Sequence, residues 1–261
     1  MNMQTETRAQ EARDRYTGKI IALVSNKGGA GTTTVATNIA TNFASQNRSV
    51  CLADLMLRSN AVASALGVEP ACSFMDLLRA LRRDDVLAIE KALVQHVSGV
   101  RVLAEPLCGS EAHIKPADVD EILDRLVQAF EFLVVDTPKE FDDMQLLVLD
   151  RAEIILFVTE INAPSLKSAR LSFERFRRMG VDLAKLRVLL NRYITTDMMN
   201  LQTIENLLGM RVFWTIPDDY RAVVAAVNQG LSIEACGRDS EIAKSYALLP
   251  DALLRSLALP A

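Results

Sequence analysis

The sequence predicts an α/β domain, with a mostly parallel, doubly wound β-sheet flanked by helices. Three observations carry that prediction. Short β-branched and aliphatic runs alternate with amphipathic helical segments along the chain. Several runs, such as Phe132-Leu133-Val134-Val135 and Ile154-Ile155-Leu156-Phe157-Val158, are apolar at nearly every position, as strands buried on both faces are. A glycine-rich segment, Ser25 to Thr34, joins the first apolar run to a helical one.

In chain order, residues 1–18 are expected to form a flexible tail or a frayed helix, since Met1 to Tyr16 is polar and charged. Residues 19–261 are expected to form one domain, because no repeat, low-complexity tract or Pro/Gly-rich linker divides them. Strands are predicted at Lys19–Ser25, Val50–Asp54, Val100–Ala104, Phe132–Asp136, Glu153–Thr159, Leu186–Asn191 and Val212–Ile216. Helices are predicted at Thr33–Ala44, Ser73–Arg82, Val86–Gln95, Pro116–Phe130, Pro164–Met179, Asn200–Leu208, Tyr220–Asn228 and from Glu241 onward. Proline opens two of these, and Gly180 closes the Pro164–Met179 helix.

Composition narrows the function classes. Half of the residues are hydrophobic and 24% are charged, which suits a sizeable core. A net charge of −4 does not favour nucleic acid as a partner, and Arg175-Phe176-Arg177-Arg178 reads as a solvated helix face. Cys51, Cys72, Cys108 and Cys236 are scattered and form no CxxC pair, so they read as reduced thiols of a cytoplasmic protein. Only His96 and His113 are available to join them in a zinc site. No apolar run has the roughly 20 residues that cross a bilayer, so membrane contact would be peripheral.

The glycine-rich segment has the context of a phosphate loop: strand, turn, helix. Glycines let the backbone wrap an anion closely, and successive N–H groups with the helix N-terminus supply the binding dipoles. The common pattern GxxxxGK[ST] is broken here. Asn26 takes the first glycine position, and Thr32 takes the position of the lysine that reaches the β- and γ-phosphates.

What remains, Lys27-Gly28-Gly29-Ala30-Gly31-Thr32-Thr33-Thr34, resembles the deviant Walker A family of P-loop proteins, which includes partitioning ATPases and MinD. Three further segments resemble that family in order and spacing: Phe132 to Pro138, Asn191-Arg192, and Ile216-Pro217-Asp218-Asp219. The resemblance implies that Lys27 reaches across a nucleotide-sandwich homodimer to the partner's phosphates. It further implies that Thr33 and Asp136 hold Mg²⁺, and that Thr34 contacts the α-phosphate. Asn191 and Arg192 would read the base, with Pro217 and Asp218 beside the adenine. Asp54 ends the second strand, and the resemblance implies that with Lys27 and Asp136 it would make up a residual catalytic set.

The sequence also departs from that family. Asp54-Leu55-Met56-Leu57 keeps the first of two expected aspartates, but Met56 stands in place of the second, which positions the attacking water. Thr32 removes a charge that would offset charge developing on the phosphates. Lys139 follows Asp136-Thr137-Pro138, where the family often has a small residue. Together these predict hydrolysis that is very slow or absent, and they leave binding of ATP or ADP with Mg²⁺ open.

Within the family the chain most resembles the pilus-assembly proteins CpaE and TadZ. The resemblance rests on stretches such as Ala65 to Pro70, Val102 to Pro106, Ala163 to Ala169 and Ile216 to Val223. It implies a dimeric scaffold that localises tight-adherence (type IVb) pilus assembly, at the inner face of the membrane or a cell pole. Members of that branch often carry a receiver-like domain first; with so few residues before its first strand, this chain is expected to be either a short form or a fragment. Two other readings stay open: an active MinD- or ParA-type ATPase acting on membrane or DNA, and a nucleotide-independent binding module. The segment from Tyr246 to Pro260, with one arginine and two prolines, reads as a packed helix rather than a lipid anchor.

Overall fold

At the centre of the computed structural model, which describes residues 17–57, 59–106, 114–138, 141–194 and 200–258, lies β1 (Lys19–Ser25), buried at every position after Lys19. The other strands are β2 (Val50–Asp54), β3 (Val94–Gln95), β4 (Arg101–Leu103), β5 (Phe132–Asp136), β6 (Ile154–Glu160), β7 (Leu186–Tyr193) and β8 (Val212–Pro217). They form one eight-stranded sheet in the order β3-β4-β2-β5-β1-β6-β7-β8. Every pairing is parallel except that of β3 with β4.

Helices cover both faces, which is why the central strands are apolar on both sides. They are α1 (Thr32–Ser45), α2 (Ala61–Leu66), α3 (Phe74–Arg82), α4 (Val86–Ala92), α5 (Pro116–Ala129), α6 (Asp143–Arg151), α7 (Ala163–Arg178), α8 (Leu201–Leu208), α9 (Tyr220–Gln229), α10 (Ile233–Cys236) and α11 (Glu241–Ala258). Ile21 and Leu23 of β1 face α1, α2, α9 and α11, whereas Ile20, Ala22 and Val24 face α3, α5, α6 and α7. The chain leaves β1 onto one face through α1 and reaches β6 over the other face through α6. The switch between faces opens a crevice at the carboxyl ends of these strands, the place where open α/β sheets bind ligands.

The predicted fold class holds, and the strand and helix positions agree within a few residues except at one hairpin. The helix predicted over Val86–Gln95 stops at Ala92, and Val94 and Gln95 instead pair antiparallel with Val102 and Arg101. The turn is fixed by Gly99 at φ +94 and by the His96 N–H donating to the Val100 carbonyl, so tertiary pairing overrides the helical periodicity. Three helices had no sequence prediction: α2, α6 and α10. α2 and α10 span 6 and 4 residues, too few for a periodic signal. α6 is capped by Asp142, whose side chain accepts from the Gln145 N–H.

Among the described residues no helix is long and apolar enough to cross a membrane. α11 buries Ile242, Tyr246, Leu249, Pro250 and Leu253 against the sheet, the packed helix expected of that segment. Residues 1–16, Cys108, His113 and Lys139 lie outside the described residues.

The α1 face is anchored by Phe43, fully buried and stacked on Phe132 with ring centroids 4.3 Å apart. Phe43→Ala is expected to lower stability by about 3–5 kcal/mol through lost burial and a residual cavity. Urea unfolding checks this, with a lower midpoint at unchanged m-value.

Candidate functional site

The loop between β1 and α1 leaves Gly28 and Gly29 exposed and buries Ala30. Gly29 and Gly31 adopt φ +77 and +93, values an L side chain rarely takes. Gly31 is the N-cap of α1, and no side chain caps that helix. Its first N–H groups are therefore left for an external acceptor. Thr32, Thr33 and Thr34 form the first turn and are half-buried.

Two carboxylates stand beside this turn. β2 and β5 pair so that Asp54 lies opposite Asp136, and both are buried. Their environments differ. Asp54 accepts from the Met56 N–H at 2.9 Å and the Val62 N–H at 3.0 Å, so both oxygens hold the β2–α2 connection and the start of α2. Burial still pushes its carboxyl above the usual range, against those backbone bonds. Among the described residues Asp136 accepts only from the Thr33 hydroxyl, at 2.5 Å, and its second oxygen is buried without a partner. Burial pushes its pKa up to about 7, opposed by the Thr33 bond and reinforced by the Asp54 charge.

An orphaned carboxylate oxygen beside a threonine hydroxyl is the donor set of a hard divalent cation, and it fits Mg²⁺. Thr33 and Asp136 are the residues that would hold such an ion, which would neutralise the buried charge.

The ends of β6 and β7 form the opposite wall and grip the loop at three points. The Asn26 amide donates to the Ser165 carbonyl at 2.8 Å, in the first turn of α7. The Asn191 amide donates to the Ala30 carbonyl at 2.8 Å, and a Cβ on Gly31 would lie 2.2 Å from that amide nitrogen. Lys27 Nζ meets Glu160 Oε2 at 2.5 Å. Arg192, in the left-handed region at φ +52, meets Glu160 Oε1 at 2.6 Å. Burial pushes the Glu160 carboxyl up, but its bonds with Lys27, Arg192 and Asn162 outweigh this and hold it below the usual carboxylate range.

The fold therefore gathers Lys27, Gly28, Gly29, Ala30, Gly31, Thr32, Thr33, Thr34, Asp54, Asp136, Asn191 and Arg192 at one end of the sheet. Pro217 joins them by pairing with Tyr193 at the end of β7, and Asp218 follows with an exposed side chain. Met56, in the connection that Asp54 holds, is half-buried. Glu160 escaped the sequence reading. Its signal was available, since it is a lone acid ending an otherwise uncharged strand, as Asp54 and Asp136 do.

A model of the AAA_31 family, described as an AAA domain, matches residues 18–179, more than half of the chain. The chain belongs to the AAA_31 family. Among curated relatives of this AAA_31 protein, MinD of Thermotoga maritima is 24% identical over 238 residues, covering 88% of this chain and 85% of that protein. MinD of Escherichia coli is 25% identical over 250 residues, covering 90% and 91%. Among solved structures, a ParA family ATPase from Chlorobium tepidum aligns with TM-score 0.80 at 21% identity, over 90% of this chain and 98% of that one. MinD of Pyrococcus furiosus aligns with TM-score 0.76 at 24% identity, over 91% and 99%. The AAA_31 chain thus has the MinD/ParA-type P-loop fold.

The buried Asp136 makes stability depend on pH. Between the ordinary carboxyl value of 3.8 and about 7, the folded chain keeps a proton that the unfolded chain releases, so stability falls as pH rises through this window. Asp136→Asn removes that dependence. Without nucleotide or metal, the variant is expected to melt higher than wild type at pH 8 and to converge with it near pH 4. Melting curves across this range check it, and parallel pH profiles would count against a buried, proton-binding Asp136.

Proposed function

We propose that this chain is a degenerate ATPase-fold scaffold that localises tight-adherence (type IVb) pilus assembly, acting as a homodimer with weak or no ATP hydrolysis. The observation that carries the reading is the loss of two catalytic groups from one site: Thr32 stands at the phosphate-loop lysine position and Met56 at the second switch aspartate. A thioether can neither orient an attacking water nor hold a metal shell. Asp54 is tied by both oxygens to the backbone around α2, which supports a structural role for the aspartate that is kept. The pilus assignment rests on the resemblance of the deviant Walker A loop and its companion segments to the CpaE and TadZ branch.

In this reading Lys27, Gly28 to Thr34, Asn191, Arg192, Pro217 and Asp218 form a site for ATP or ADP, with Mg²⁺ on Thr33 and Asp136. Nucleotide state would control dimerisation at the inner face of the membrane or a cell pole. A second reading, an active spatial-regulator ATPase, is favoured by one observation: the Thr33–Asp136 pair is intact, and its orphaned oxygen suits a metal. Solved relatives include MinD of Pyrococcus horikoshii with Mg-ADP and a MinC:MinD complex from Aquifex aeolicus.

Calorimetric titration with MgATP, alongside light scattering, separates the two. Restoring the missing ammonium in Thr32→Lys is expected to tighten MgATP by about 10- to 100-fold, the worth of one charged hydrogen bond. Lys27→Ala is expected to abolish nucleotide-dependent dimers. Steady wild-type turnover that Asp136→Ala removes would overturn the scaffold reading in favour of the ATPase. In cells, deletion should remove surface pili and the wild-type gene should restore them.

A further inference from the structure

One carboxylate holds Lys27 and Arg192 at the mouth of the loop. Glu160 ends β6 with its side chain 13% exposed, and its two oxygens are divided between Lys27 and Arg192 at 2.5 and 2.6 Å. The Asn162 amide adds a third bond, to Oε2, at 3.0 Å. Lys27 is the only cationic residue from Ser25 to Thr34, since Thr32 replaces the other. While it is paired, the loop presents glycine backbone and threonine hydroxyls but no free ammonium. Arg192 reaches the same carboxylate from a left-handed backbone that disfavours a non-glycine residue. Such a conformation persists only where surrounding contacts enforce it.

We propose that Glu160 is a latch: it holds Lys27 and Arg192 within the chain and sets the concentration at which the loop admits a polyphosphate. This rests on the nucleotide reading above and adds its regulation. A triphosphate carries several negative charges, and Glu160 opposes it twice, by repelling it and by occupying Lys27, the loop cation that would receive it. Release exchanges the carboxylate for phosphate oxygens on Lys27 and leaves Arg192 to the base. Lys27 is then free to turn outward, toward a second copy of the chain. A merely architectural Glu160 predicts the opposite sign, because removing it would loosen the loop and weaken binding.

The test measures binding of MgATP and of magnesium triphosphate by calorimetry to wild type, Glu160→Gln, Glu160→Asp and Glu160→Gln combined with Lys27→Met. Glu160→Gln is expected to bind both ligands about tenfold more tightly, as one released charged pair implies. It should also dimerise at correspondingly lower MgATP. Glu160→Asp, which keeps the charge, should stay near wild type, and the double variant should lose the gain. If Glu160→Gln does not melt cooperatively, Glu160→Ala replaces it with the same expectation. Wild-type binding that Glu160→Gln leaves unchanged or weakens would overturn the latch alone. Absence of binding by every form would overturn the nucleotide reading and the latch with it. Binding by Glu160→Gln where wild type shows none would support both.

Discussion

Asp54 and Asp136 lie side by side at the ends of neighbouring parallel strands, both withdrawn from water, and much of this end of the sheet is arranged around that pair. Two like charges at that depth are unfavourable unless each finds hydrogen-bond donors or keeps its proton. The chain gives the two acids different solutions. Asp54 takes backbone donors and fixes the start of α2, whereas Asp136 takes one hydroxyl and leaves an oxygen bare. The asymmetry divides the site into a structural half and a half suited to a cation.

The loop itself is held from the other side. Asn26, Lys27 and Ala30 are each bonded to the ends of β6 and β7 or the start of α7, so the glycine-rich turn is clamped before any ligand arrives. Such a clamp reconciles two demands: the glycines must avoid Cβ atoms where Asn191 approaches, yet the backbone they free must keep one shape. Shape comes from amides donating to carbonyls, and charge balance from a single acid between two bases. The same wall therefore sets both the form of the turn and its electrostatic field.

The fold was legible because the central strands must be apolar on both faces, and runs such as Ile154 to Val158 leave no other reading. The loop was legible because its chemistry is local, with glycines and threonines within a few residues of one another. What the sequence hid is non-local. Val94 and Gln95 continue a helical pattern and become strand only because Arg101 and Val102 return beside them. Glu160 draws its meaning from Lys27, 133 residues earlier, and Arg192, 32 residues later, and no spacing rule links such partners. Asn191 stood out by resemblance as a base reader, while its bond to the Ala30 carbonyl depends on the final positions of β7 and the loop.

The small antiparallel hairpin at the sheet's margin has a consequence of its own. β3 contributes 2 residues, leads into a turn tied by His96, and is anchored again where the His96 ring meets the Gly230 carbonyl at 2.7 Å. A growing β-aggregate needs a long, flat row of unpaired amides to template on, and this margin offers almost none. The hairpin works as a hem: it finishes the fabric of the sheet on that side, so that chains crowded together have little to stitch onto there.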